Sequence, residues 1–213
     1  MILLKKILKI FILLTITIFL CHTVAFAMTV SEFYELAKKH SEINAFAVTV
    51  QSALETGNWT SLLWCEANNG LGIKANSKWI KSGKPYVAKT SREANGSVFY
   101  KKVSNFRKYS SAEQFLVDFK DKIRDDYPVC AKNYDNTWGY YAGLYQGRFG
   151  KWATDQKYFE NLVTKTIRTA PDIYAEAWQD KLLMDYQMAL YRGLLSPWQK
   201  EILEIKLQAA GIL

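Results

Sequence analysis

The chain has 213 residues, with 28 Lys plus Arg against 20 Asp plus Glu, two His and three Cys. A hydrophobic share of 49% with 23% charged residues excludes a disordered chain, and the length suits one compact domain with a small addition. The formal charge of +8 points to an anionic partner, and 15% aromatics fit either a carbohydrate-facing or a heavily packed protein.

Residues 1–27 read as an export signal. Lys5, Lys6 and Lys9 form a positive head, Ile10 to Cys21 is an apolar run, and Ala25-Phe26-Ala27 fits a small-x-small cleavage site. The run falls short of the roughly 20 apolar residues of a spanning helix, an uncleaved anchor being the alternative. Phe19 and Leu20 ahead of Cys21 disfavour a lipoprotein. Removing 27 residues and three lysines leaves 186 residues and a charge of +5. That bias suits an anionic wall or membrane surface and is too weak to indicate nucleic acid. The expected location is outside the cytoplasm, in periplasm, wall or medium, with no stable transmembrane segment after cleavage.

Thr29 with Glu32 predicts a capping box opening a helix to about Lys39. A second helix follows from about Ser41, with Ile43, Phe46, Ala47, Val50 and Leu54 on one stripe and Gly57 as its stop. Residues 64–85 read as irregular, with Asn68-Asn69-Gly70 and Gly83-Lys84-Pro85 as turn signals. Tyr86 to Glu93 and Ser97 to Val103 predict two strands joined at Asn95-Gly96. Ser110 with Glu113, or Ser111 with Gln114, can cap a helix that buries Leu116, Phe119 and Ile123. Further helices are expected over Trp138–Tyr145, Asp155–Ile167 and Ile173–Tyr191. A last one starts at Ser196-Pro197-Trp198-Gln199 and ends at Gly211. The layout is α+β, mostly α: a helical core with one inserted β-hairpin.

Cys65 and Cys130 remain after cleavage and can pair or stay as thiols. His40, in a Lys-Lys-His setting, is the one histidine left, so no zinc or haem ligand set exists and no metal or cofactor is expected. There is no Gly-rich phosphate loop, and a Ser-His-Asp or Cys-His arrangement would depend on His40 alone. The conspicuous acid is Glu55. It stands at the end of the second helix beside Ala53, Leu54, Gly57 and Trp59. Apolar neighbours and the negative helix end both favour its protonated form, as a general acid requires. Glu93, two residues before the hairpin turn, can reach the far side of a substrate, and glycoside hydrolysis uses two such carboxyls. The alternative for each is a solvated surface charge. Asp121, Asp125 and Asp126 read as a charged helix face.

Four motifs then resemble one family in order. Gln51-Ser-Ala-Leu-Glu-Thr-Gly-Asn-Trp-Thr-Ser61 resembles the catalytic helix of bacterial glucosaminidases, glycoside hydrolase family 73. Glu66-Ala-Asn-Asn-Gly-Leu-Gly-Ile-Lys-Ala75 resembles its Asn-Asn-Leu-Phe-Gly-Ile-Lys stretch. Phe106-Arg-Lys-Tyr-Ser-Ser111 resembles its Phe-Arg-x-Tyr, and Trp152-Ala-Thr-Asp155 with Tyr158 its Tyr-Ala-Thr-Asp-Pro-x-Tyr. The resemblance implies a lysozyme-like fold. It also implies cleavage of peptidoglycan glycan strands at the β-1,4 bond between N-acetylglucosamine and N-acetylmuramic acid. Glu55 stands at the family's general acid and Glu93 near its second acid. The family commonly has Thr-x-Glu before the turn, and here Thr90 precedes Glu93 by three. Gly70-Leu71 replace the usual Leu-Phe, thinning the aromatic lining expected there, and Trp152 replaces a tyrosine whose acid–base capacity indole lacks: either that tyrosine is dispensable, or another such as Tyr158 or Tyr127 substitutes, or activity is low.

Trp59, Trp79 and Trp152 can offer faces to pyranose rings, with core packing the alternative. Asn69 and Lys74 can bond acetamido and peptide groups, and Tyr158 completes the expected substrate-binding set. The organisation expected is signal peptide 1–27, catalytic domain 28–170 and helical extension 171–213 packed on it, in a monomer. Rival readings are a muramidase or lytic transglycosylase of the same fold, an antibacterial effector, and a non-catalytic wall-binding protein on a decayed hydrolase fold.

Overall fold

The computed structural model describes residues 28–95 and 98–213, without the side chains of 91–100. The expected signal peptide and the Gly96-Ser97 turn lie outside the described residues. Ten α-helices and one hairpin follow along the described chain. Helix α1 is Val30–Lys38, opened by the Thr29/Glu32 capping box. Helix α2, Ala45–Thr56, starts where Asn44 Oδ1 accepts from the Ala47 N–H. Every residue from Phe46 to Ala53 is buried. A helix buried on all sides belongs in a core, and α2 packs against α1 and the helices over residues 137–143 and 158–174.

Two short helices occupy the stretch expected to be irregular: α3, Leu62–Ala67, and α4, Ser77–Lys81. Ser61 caps the first and Asn76 the second. At five or six residues they carry too little periodicity to stand out in a sequence. Strands β1, Tyr86–Asn95, and β2, Val98–Arg107, pair antiparallel, with Tyr86 opposite Arg107 and Glu93 opposite Tyr100. Strand β2 runs four residues past its expected end, to Arg107, where residues 73–75 pair along its other side. Arg107 N–H bonds the Ile73 carbonyl, and Ala75 N–H the Asn105 carbonyl.

Helix α5, Ala112–Asp126, is capped by Ser111 and buries Leu116, Phe119 and Ile123. Then come α6, Pro128–Lys132, and α7, Thr137–Gly143. Helix α8, Tyr158–Tyr174, begins three residues later than expected, because Asp155 Oδ1 accepts from the Lys157 N–H and holds that stretch as a turn. It also continues through Pro171, held by burial of Thr169 and Ala170. A 3₁₀ turn, Ala175–Ala177, separates it from α9, Trp178–Tyr191, and α10 is Pro197–Ala209.

Helices α9 and α10 lie against the rest. The Trp138 indole N–H donates to the Leu182 carbonyl at 3.3 Å, and Asn136 Nδ2 to the Asp185 carbonyl at 2.7 Å. Trp198 packs edge-on against Tyr145 and Phe159. A single apolar cluster runs from Phe33 through Phe46, Phe115, Trp138 and Phe159 to Leu203. Cys65 and Cys130 are both free thiols, one exposed and one buried; the buried thiol donates weakly to the Tyr140 carbonyl. No helix among the described residues is long and apolar enough to cross a membrane.

Candidate active site

Glu55 sits in the last turn of α2, and the chain turns away abruptly behind it. Gly57, Asn58 and Trp59 have φ of 60°, 58° and 59° in succession. Only Gly57 adopts this region freely, so two residues are held against their preference. Burial and hydrogen bonds hold them. Trp59 N–H donates to Thr56 Oγ1 at 2.8 Å, its indole to Ser52 Oγ at 3.0 Å, and Lys165 Nζ reaches Asn58 Oδ1 at 2.6 Å. Backbone strain of this kind persists where the surroundings over-determine it, and it clusters at functional sites.

A cleft of about 900 Å³ opens over Glu55. Leu71, Lys74 and Phe106 border it on the hairpin side, Lys122 on α5, and the 144–157 loop supplies Phe149 and Trp152. The Tyr158 hydroxyl donates to Glu55 Oε1 at 2.7 Å. Gln51 Nε2, one helical turn before Glu55, donates to Tyr158 Oη at 3.1 Å. The Tyr140 hydroxyl donates to Gln51 Oε1 at 3.1 Å. Phenol, amide, phenol and carboxyl thus form one chain of hydrogen bonds from the core to the cleft.

Desolvation by the surrounding protein raises the pKa of Glu55, and hydrogen bonds from Tyr158 and Trp152 pull partly the other way. Protein atoms crowd the carboxyl on most sides, yet the residue remains open to solvent across the cleft. That access screens the effect, so the shift is a tuning of the acid and not a large energetic cost. Burial first, then the neighbouring carboxylate, pushes the Tyr158 phenol well above its ordinary value, so Tyr158 serves as a neutral donor.

Of the sequence-predicted set, Glu55, Lys74, Trp152 and Tyr158 meet around this cleft. Trp152 stands over α5, edge-on to Phe119 at 6.0 Å and tilted on Tyr127 at 5.2 Å. Three other members are elsewhere. Trp59 is 1% exposed and stacks on Phe33, so it has no face for a sugar. Trp79 is buried at the hairpin root with the Arg107 guanidinium 4.5 Å and Lys84 Nζ 4.6 Å from its ring centre. Asn69 is wholly buried. Its Nδ2 donates to the carbonyls of Ile73 and Arg107, and its Oδ1 accepts from the Ile73 N–H, so every polar atom is spent on the backbone.

The Glu93 side chain lies outside the described residues. Its strand position is six residues beyond Val87, the partner of cleft-lining Phe106, which is about 20 Å of extended chain. Gly70, expected to thin the aromatic lining, answers a packing demand: a Cβ there would meet Ser52 Oγ at 2.6 Å and Phe115 at 2.9 Å.

Sequence reasoning missed Gln51, Tyr140, Phe106 and Phe149 as parts of the site. Gln51 was findable, because i and i+4 share a helix face. Tyr140 comes from 89 residues away and carries no local signal. Among the described residues no group of His, Cys, Asp or Glu is arranged to hold a metal ion.

A family model described as mannosyl-glycoprotein endo-beta-N-acetylglucosaminidase matches residues 31–181. A solved mutant of a peptidoglycan hydrolase from Sphingomonas sp. A1 is similar at 25% identity, over 73% of this chain and 97% of that one, with a TM-score of 0.54. A solved N-acetylmuramoyl-L-alanine amidase from Staphylococcus aureus shares the fold at 23% identity. That match covers 68% of this chain and 42% of that one, with a TM-score of 0.52. A search of curated proteins gives no match.

Proposed function

Because the chain belongs to the mannosyl-glycoprotein endo-beta-N-acetylglucosaminidase family and is a glycoside hydrolase, we propose that it cleaves peptidoglycan between N-acetylglucosamine and N-acetylmuramic acid. The observation that carries this reading is Glu55, a carboxyl with a raised pKa at the floor of a cleft, held by a neutral phenol donor. Glu55 protonates the leaving glycosidic oxygen, the bond to C1 breaks, and positive charge develops on the sugar ring. Glu93, on the hairpin, is the proposed second carboxyl, activating a water or steadying that charge. Among the described residues Asp155 is the other acid bordering the cleft, but Lys157 N–H and Asn161 Nδ2 engage its two oxygens as it opens α8, so it is not given that role. Trp152 and Phe149 offer aromatic faces to sugar rings, and Lys74 a cation to acidic peptide groups.

The same reading makes residues 1–27 a cleaved export signal, 28–170 the catalytic unit and 171–213 a helical extension packed on it. The protein then acts outside the cytoplasm, where its wall substrate lies, and the proposed state is a monomer. The test is to digest purified wall and identify the new reducing ends by mass spectrometry, with Glu55→Gln as control. N-acetylglucosamine ends are expected. Muramic or anhydro-muramic ends would reassign the bond, and unchanged release by Glu55→Gln would remove Glu55 from the mechanism. Wall binding without release would return the chain to a non-catalytic role.

A further inference from the structure

Glu55 has two oxygens, and only one can carry the proton that reaches the substrate. Nothing in the side chain itself distinguishes them. Tyr158 engages one of them, Oε1, and the hydrogen bonds behind it fix where that phenol's proton points.

Tyr140 is fully buried and its phenol is held far above its ordinary value by desolvation, so it is always a hydroxyl with a proton to place. That proton goes to Gln51 Oε1. Gln51 is itself 0% exposed, and no water competes for its amide. With Oε1 taken, the amide N–H is turned to Tyr158 Oη. The Tyr158 oxygen then accepts from Gln51, and its own proton points to Glu55 Oε1.

A reversed amide would set N–H against the Tyr140 hydroxyl and offer Tyr158 a second acceptor. The phenol would then be free to leave Glu55. The amide's orientation therefore decides where the phenol proton goes.

We propose that Gln51, oriented by Tyr140, is a positioning residue that keeps the Tyr158 hydroxyl donating to Glu55 Oε1. The inference rests on Glu55 being the general acid. It gives the buried Gln51 and Tyr140, 89 residues apart in sequence, a shared role in placing that phenol's proton. The titratable groups around Glu55 are Tyr158 from α8, Lys74 ahead of α4, Lys122 from α5, Tyr127 at its end, and Lys151 and Asp155 from the loop before α8. All of them are retained in the variants below except Tyr158, which is tested separately.

The experiment titrates the Glu55 carboxyl by carbon-13 NMR in glutamate-labelled protein, the resonance being identified by its loss in Glu55→Gln. The pH profile of kcat/KM on purified wall is measured alongside. Gln51→Met keeps the side-chain length and removes both polar atoms. Without the amide N–H the Tyr158 oxygen can accept from protonated Glu55, which favours the protonated form. The Glu55 titration and the basic limb of the profile should both rise by about half to one pH unit, the scale of one neutral hydrogen bond. Tyr140→Phe should move both the same way by less. On a Tyr158→Phe background, Gln51→Met should move them no further, because Gln51 acts only through that phenol.

A merely structural Gln51 would lower melting temperature and leave both pH values in place. A folded Gln51→Met that titrates as wild type overturns the proposal, and Tyr140→Phe decides it by the same criterion if Gln51→Met fails to fold. A further rise on the Tyr158→Phe background overturns it too. If wild type releases no reducing ends, the proposed function fails, while the substrate-free titration still reads the hydrogen-bond chain. A titration that moves without the basic limb overturns Glu55 as the acid that the profile reports.

Discussion

The two walls of the cleft are built differently. On one side α2 runs through the core, every residue from Phe46 to Ala53 is buried, and Glu55 emerges at its end backed by Gln51, Tyr158 and Tyr140. On the other, the hairpin is fastened mainly at its root. Asn69 bonds three backbone groups there, and the Arg107 guanidinium meets Asp118 at 2.6 Å. The Tyr109 hydroxyl donates to the same carboxylate at 2.7 Å. Further out, Val103 is exposed. A carboxyl on the helical wall is placed by packing, which admits few alternatives. A carboxyl on the hairpin is placed by a polar root and the stiffness of two paired strands. In the proposed mechanism the general acid stands on the first wall and the second carboxyl on the other.

That contrast can be broken at several points. The largest expected effect is on chemistry: Glu55→Gln should lose about 100- to 10,000-fold in wall cleavage, the usual contribution of a general acid, measured by release of reducing ends. Next is the hairpin root. Asn69→Ala leaves the Ile73 N–H and the Arg107 carbonyl without their side-chain partner, while the Ile73 carbonyl keeps the Arg107 N–H, and should cost about 2 kcal/mol in urea unfolding. If it costs nothing, the hairpin is not held there.

A smaller effect is expected at Phe149, which is 89% exposed on the cleft rim. Phe149→Ala should leave the melting temperature unchanged and raise KM about 3- to 10-fold, the range of one aromatic contact. An unchanged KM would remove it from the binding surface. The smallest is a stability effect of Glu55. Its folded pKa lies above the ordinary 4.5, so ionising it is less favourable in the folded chain. That penalty is absent below the unfolded value and grows as pH rises past it. Glu55→Gln should therefore melt slightly higher than wild type near neutral pH, with the gap closing as pH falls below 4.5. A gap that stays constant with pH would assign it to packing instead. By the same sign, activity should fall as pH rises through the Glu55 value, since the acid must be protonated.

Much of the frame was legible along the chain. The Thr29/Glu32 and Ser196/Gln199 capping boxes, the α2 stripe with its glycine stop, and the hairpin pairing all depend on neighbours a few residues apart, which a sequence displays. The short α3 and α4 do not, because their caps are local but their periods are barely one turn. The site divided in the same way. Glu55 was visible from its helix-end position and apolar company. Trp59 and Trp79 resemble sugar platforms in composition, but only the fold shows their rings covered by Phe33 and by two cations.

By itself the sequence determined the helical frame, the hairpin, the acid at the end of α2 and the family motifs around it, since each is a matter of residue type and short spacing. Tertiary structure alone decided which aromatics face the cleft, that Asn69 serves the backbone, and that Gln51 and Tyr140 stand behind Tyr158. Those facts depend on which of many buried groups become neighbours when distant segments pack, and hydrogen bonds across 89 or 107 residues leave no periodic trace in the chain.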